Sequence, residues 1–140
     1  MSLGASYIFD KTYTIDNASV TQFAAVVQGA SDGSCALPGA QNATHFLGFT
    51  QAKQANQNAG VAVRRLGISA AIGHGAIARG DRVAIYSAAG DVYSVEATVA
   101  AGAGTASVTN VIGRAENTTA NNGDVVYVWI EPAEISLAAS

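Results

Sequence analysis

Apolar residues in this chain come in short alternating runs. Tyr7, Phe9, Tyr13 and Ile15 sit at odd positions, with polar or charged residues mostly between them. That period of two marks an extended segment with one apolar face. Two roles are open to it. It is either the first strand of the core or an arm laid on another subunit, because a terminal strand is readily donated to a partner's sheet edge. Phe23 to Val27 predicts a buried strand, and Phe46, Leu47 and Phe49 predict another over 45–50. Between them, Gly29, Asp32, Gly33, Pro38 and Gly39 are turn residues, so 29–39 reads as loop. From Gln51 to Asn58 the only apolar stripe is Ala52, Ala55 and Ala59, enough for a short, shallow helix that Gly60 stops.

The second half repeats the strand signal. Val61 to Leu66 and Ile68 to Ile72 read as one long strand, bent or bulged at Gly67. Gly73-His74-Gly75 is a turn, and Arg82 to Ser87 is a strand with Val83 and Ile85 on one face. Ala88 to Asp91 closes a hairpin into Val92, Tyr93 and Val95. Residues 98–109, rich in small side chains, form a loop or a weakly specified edge. Val111 to Ala115 is a strand, and Val125 to Ile130 is the most hydrophobic strand, ended by Pro132. A Gly-Asp-x-Val unit introduces a strand twice, at Gly80-Asp81-Arg82-Val83 and at Gly123-Asp124-Val125-Val126. About eight short strands at sandwich-like or barrel-like spacing predict an all-β fold, a small β-barrel or β-tulip-like domain with little helix. The expected organisation is an extended N-terminal arm over 1–20, one β domain over 21–135 and a flexible tail over 136–140.

Composition adds a hint about surroundings. The chain has 140 residues, which suits one domain, and such a domain folds without a disulfide or metal. Charged residues make up only 12%, against ~25% in ordinary soluble proteins. An alanine-rich, weakly charged surface tolerates being covered by a neighbour. Net charge is −3, and the only adjacent cations are Arg64 and Arg65, so direct nucleic-acid binding is not expected. No stretch approaches the ~18–20 apolar residues of a membrane span. The first ten residues lack a signal-peptide pattern, so synthesis in the cytoplasm is expected.

Candidate chemistry is thin. His45 and His74 are the only histidines, and neither has an acid or cysteine at metal-ligand spacing. No metal or cofactor is expected. No Gly-x-Ser-x-Gly marks a nucleophile and the acids are scattered, so the chain is not expected to be an enzyme and no catalytic residue is assigned. A hydrolase using Ser34 or the single cysteine, Cys35, with a histidine is the weakest of three classes. Asp81 and Asp124 read as turn residues bonding nearby backbone N–H groups rather than as a calcium site. Tyr86, Tyr93 and Trp129 are the stacking candidates for an alternative class, a carbohydrate- or receptor-binding barrel module on a virion surface.

The order of signals from 60 to 130 resembles a known family. Gly60-Val61-Ala62-Val63 with Arg65-Leu66-Gly67 comes first, then Ile77-Ala78-Arg79-Gly80-Asp81-Arg82-Val83. Val111-Ile112-Gly113-Arg114-Ala115 and Gly123-Asp124-Val125-Val126-Tyr127-Val128 follow. Together these resemble the capsid cement, or head decoration, proteins of tailed phages. The motifs cover about half the chain, and residues 29–39 depart from the family's compact pattern. The resemblance implies a usually trimeric subunit on the outer surface of an icosahedral virion, with the major capsid protein as partner and no catalytic activity or cofactor. It implies capsid contact through the N-terminal arm, at Tyr7, Ile8, Phe9, Tyr13 and Ile15, with Arg64, Arg79 and Arg82 as further polar contacts.

Overall fold

The computed structural model describes residues 8–96 and 107–137. They form ten strands, and the all-β expectation holds. The first five are β1 (Phe9–Ile15), β2 (Ala25–Gln28), β3 (Ser34–Ala36), β4 (Phe46–Thr50) and β5 (Gly60–Leu66). They pair in the order β1-β3-β2-β4-β5, and β1 returns to β5 to close a barrel. Inside it Tyr13, Ile15, Val20, Val26, Cys35, Leu47, Val61 and Val63 form one apolar cluster. Alternation along each strand supplies these inward positions.

The second half forms β6 (Ile68–Ile72), β7 (Arg82–Ile85), β8 (Val92–Ser94), β9 (Ser107–Ala115) and β10 (Val125–Leu137). These make an open sheet in the order β6-β10-β9-β7-β8. Its inner face carries Ala71, Val83, Ile85, Val92, Ala115, Val126, Val128 and Ile130, which bury against Ala25 and Phe49 of the barrel. Apolar burial at about 25 cal/mol per Å² makes this junction the main bond between the two halves. Asn42 adds polar ties from the barrel side. Its N–H donates to the Ile85 carbonyl at 3.0 Å, and its carbonyl accepts from Asn110 Nδ2 at 2.9 Å.

Several sequence expectations change. Residues 9–15 are not a free arm: β1 pairs with β5 from Phe9↔Leu66 to Thr14↔Gly60, and with β3 at Thr14↔Ser34 and Ile15↔Cys35. The boundary at residue 20 therefore cuts through the barrel. Segments 1–7 and 138–140 of the expected arm and tail lie outside the described residues, and Ser136 and Leu137 pair within β10 and β9. The segment 61–72 is two strands in two different sheets. Gly67 takes φ 98°, a left-handed value that turns the chain from barrel to sheet. No helix forms over 51–58, where alanines alone offered too little to bury. Gln54 instead pairs with Val20 through two backbone hydrogen bonds of 2.8 and 2.9 Å. Pro132 does not end β10. The ladder shifts register between Ile130 and Ala133 and then resumes, so the proline, lacking an N–H, sits in the irregularity.

Candidate functional site

β10 is apolar on both faces. Val126, Val128 and Ile130 point to the core, while Val125, Tyr127 and Trp129 stand outward, 43%, 51% and 54% exposed. On the neighbouring β6, Ile68 lies directly opposite Trp129 and is 41% exposed. Farther along β6, Ala70 opposite Tyr127 is buried and Ile72 opposite Val125 is half-buried, so the exposed large side chains are Ile68, Val125, Tyr127 and Trp129. These four large side chains make an apolar face along the β6 side of the open sheet. Its rim is charged with both signs. Arg114 stands opposite Trp129 on β9, and its Nε lies 4.0 Å from Glu131 Oε2, with both side chains more than half exposed. Beside Trp129 is a shallow hollow of about 280 Å³, lined by Gly80, Arg114, Ala115, Glu116, Trp129 and Glu131.

The capsid-contact residues expected from the sequence are scattered over different environments. Tyr7 lies outside the described residues. Ile8 and Phe9 are about half exposed at the start of β1. Tyr13 and Ile15 are corrected: both are buried inside the barrel, because β1 turns these alternate residues inward. The Tyr13 hydroxyl accepts a 2.7 Å bond from Arg65 Nη1. Arg64 is occupied by Asp10, to which it donates at 2.9 and 3.2 Å, and by the Ile68 carbonyl at 3.1 Å. Arg82 grips Glu96 in the same two-pronged way, at 2.7 and 3.0 Å. The hydrogen bonds from Arg82 hold the Glu96 carboxyl down to about 2. Arg79 is exposed in the turn before β7. Only Ile8, Phe9 and Arg79 of the expected set thus present accessible, uncommitted side-chain surface among the described residues.

The remaining chemical candidates resolve into structure. Cys35 is fully buried and its thiol is pushed up to about 11, by burial first and by Asp16 second, so it is no nucleophile at neutral pH. The neighbouring Ser34 hydroxyl donates to the Ser31 carbonyl at 2.9 Å. Among the described residues, neither is hydrogen-bonded to a histidine. His74 stacks on Tyr86 at 3.6 Å between ring centres, with Nδ1 3.4 Å from Asp91 Oδ2. Ser87 donates to the other oxygen of Asp91 at 2.5 Å. Serine and histidine both bind the acid instead of each other, which is not a nucleophile–base relay. Asp81 Oδ2 accepts from the Ala78 N–H and the Ser94 hydroxyl, while Asp124 Oδ2 accepts from the Ala120 and Asn121 N–H groups. Both Gly-Asp units are therefore turn locks, as the sequence predicts.

The three stacking candidates do not converge. Tyr86 and Tyr93 meet edge to face at 5.6 Å, and Tyr93 also donates to Asn42 Oδ1 at 3.2 Å. Trp129 is aligned through Arg114 with Arg82, at the other end of β7 from Tyr86.

No family model matches the chain, and no curated protein does. Among solved structures the chain is similar to the crystal structure of the head fiber gp8.5 N base in bacteriophage phi29. The TM-score is 0.59, covering 91% of this chain and 98% of that one, at 14% identity. The two share a fold. The likeness runs nearly end to end.

Ile68, Val125 and Tyr127 escaped notice as surface residues in the sequence. A signal for them existed: an unbroken apolar run such as 125–130 leaves every second side chain outside when only one face of its sheet is covered.

Proposed function

We propose that this chain is a structural protein of a tailed-phage head, held on the outer surface of the capsid as a decoration protein that ties major capsid subunits together. The observation that carries the reading is the end-to-end correspondence of its fold with the base of a phage head fiber. The ordered cement-like motifs between 60 and 130 support it independently, as does a surface with few charges. Capsid contact is assigned to the barrel end where Ile8 and Phe9 are exposed, with Arg79 as a polar contributor. Many weak contacts of this kind, repeated over an icosahedral shell, add up through multivalency. The test is cosedimentation of the purified chain with heads that lack it. Saturable binding and heads that resist heating better are expected. Ile8→Asp with Phe9→Asp should lower occupancy at least about tenfold. Failure of the native chain to cosediment with any such head would sink the reading.

A further inference from the structure

We propose that the mouth of the barrel beside Arg65 is a binding site for a sugar acid, a small molecule with one carboxylate and several hydroxyls. The site is a hollow of about 300 Å³, lined by Tyr13, Gln28, Leu47, Arg65 and the turn that joins β2 to β3. Barrel mouths are favoured places for small-molecule sites, and this volume stands at the lower end of their range. The wall is preformed. The Asp16 carboxylate accepts from the Ala30 N–H at 2.8 Å, and the Ser34 hydroxyl accepts from the Ser31 N–H at 3.0 Å. A Cβ on Gly29 would crowd Ser34 Oγ and stand 2.9 Å from the Cys35 backbone nitrogen, so glycine is what lets the turn fold back this closely.

A bulge aims Arg65 into this hollow. The β1–β5 ladder passes from Phe9↔Leu66 to Asp10↔Arg64, which leaves Arg65 as the extra residue with no partner on β1. Bulges at barrel rims re-aim side chains in this way. Arg65 is half-buried, and its guanidinium bonds two neutral oxygens, the Leu47 carbonyl at 3.0 Å and the Tyr13 hydroxyl at 2.7 Å. Arg64, Arg82 and Arg114 each face an acid, whereas no ion pair among the described residues joins Arg65 to one. A second cation stands close by: Lys11 Nζ lies 5.2 Å from the centre of the Tyr13 ring. A half-buried guanidinium without a counter-charge is costly, and a ligand carboxylate supplies one on the donors the two bonds leave over. Asp32 stands exposed in the turn and belongs to the same lining, as do Gln28 and Ser31. Asp32 repels a bare anion but accepts from a hydroxyl. A molecule with a carboxylate at one end and hydroxyls at the other therefore satisfies both poles, with the Gln28 carboxamide able to donate or accept.

The site involves none of Tyr86, Tyr93 and Trp129 and uses no capsid, so it and the phage-head reading fail separately. The experiment titrates the isotope-labelled full chain with glucuronate, glucose and acetate and follows the backbone amide resonances by NMR. Glucuronate should shift the resonances of Gly29 to Ser34 and of Arg65 and saturate, with a Kd on the order of 1 mM. Glucose and acetate each offer half of the recognition and should bind at least about tenfold more weakly. Arg65→Lys keeps the charge but loses the fork, and should weaken glucuronate about tenfold. Gln28→Ala, at an exposed side chain, should weaken it about threefold with the unfolding midpoint unchanged, so a barrel disturbed by Arg65→Lys does not end the test. A glucuronate-ended oligosaccharide separates the two sources of this chemistry: tighter binding than glucuronate points to a glycan end, weaker binding to the free acid. No saturable shift up to about 50 mM glucuronate, or shifts confined to residues away from this mouth, would overturn the proposal. So would glucose or acetate binding as tightly as glucuronate, or binding untouched by both variants.

Discussion

β1 to β5 close on themselves, whereas β6 to β10 stay open. The barrel turns Tyr13, Ile15, Val26 and Val63 into a sealed interior, and its closure leaves no unpaired strand edge. The sheet has one face pressed on the barrel and the other partly bare, so Trp129 and Phe49 meet different fates. Phe49 is wholly buried between the halves, while Trp129, on the sheet's outer face, is 54% exposed. The same aromatic chemistry thus serves folding in one place and stands at the surface in the other. Closure pairs the edges of β1 to β5 with one another, whereas the open sheet leaves β6 and β8 at its margins.

The contrast is tested most severely at Phe49. Phe49→Ala empties the junction and should cost about 3–5 kcal/mol, seen as a large drop in the midpoint of urea unfolding. If the halves were independent, one would survive this change. A single cooperative transition for both is the expected result, and two separated transitions would break the comparison.

Next come two glycines that let strands approach closely, one in each half. A Cβ on Gly48 would stand 1.9 Å from the Arg64 carbonyl oxygen, and one on Gly113 would stand 2.1 Å from that of Trp129. Backbone cannot yield as a side-chain tip does, so Gly48→Ala and Gly113→Ala should each destabilise by about 3 kcal/mol. Thermal unfolding followed by circular dichroism reads both. Similar losses in barrel and sheet would show that strand contact is equally tight in each.

A smaller effect concerns pH. Arg82 holds the Glu96 carboxyl at about 2, below its ordinary 4.5. The folded value is the lower one, so the stability it contributes is present above pH 4.5 and is lost as pH falls towards 2. The pair is partly solvated, with side-chain exposures of 27% and 34%, so the contribution is about 1 kcal/mol. Glu96→Gln should remove that much at pH 7 and flatten the stability curve across this window, measured by urea titrations at several pH values.

The smallest effect is expected at the surface. Trp129→Ser should change stability by less than about 0.5 kcal/mol. A larger fall that grows with protein concentration would report association instead, because binding of the folded form adds stability by mass action. Set beside Phe49→Ala, this variant shows which half of the apolar inventory the fold itself needs.

Much of the fold was legible locally. Alternation over Val61 to Val63 and Val83 to Ile85, and the turn residues around Asp81, Asp91 and Asp124, locate strands and connections because side-chain period and turn geometry depend on near neighbours. Strand 3 hid inside a glycine-rich loop because Ser34–Ala36 is only three residues long, too short to show a period. The candidate site was less legible. Tyr13 and Ile15 share their alternating pattern with Phe9, yet the first two are sealed in the barrel and Phe9 is half exposed. Arg64 and Arg82 looked available until folding brought Asp10 and Glu96 to them.

The sequence by itself determined that this chain is built mainly of short β-strands, that glycine-aspartate turns introduce two of them, and that its cysteine and histidines form no recognisable catalytic motif. Tertiary structure alone decided that β1 closes a barrel instead of reaching out, that Gly67 divides one apolar run between two sheets, and that Val125, Tyr127 and Trp129 remain outside. The reason is range. A period of two says that a strand has two faces, but which face is covered depends on partners many residues away.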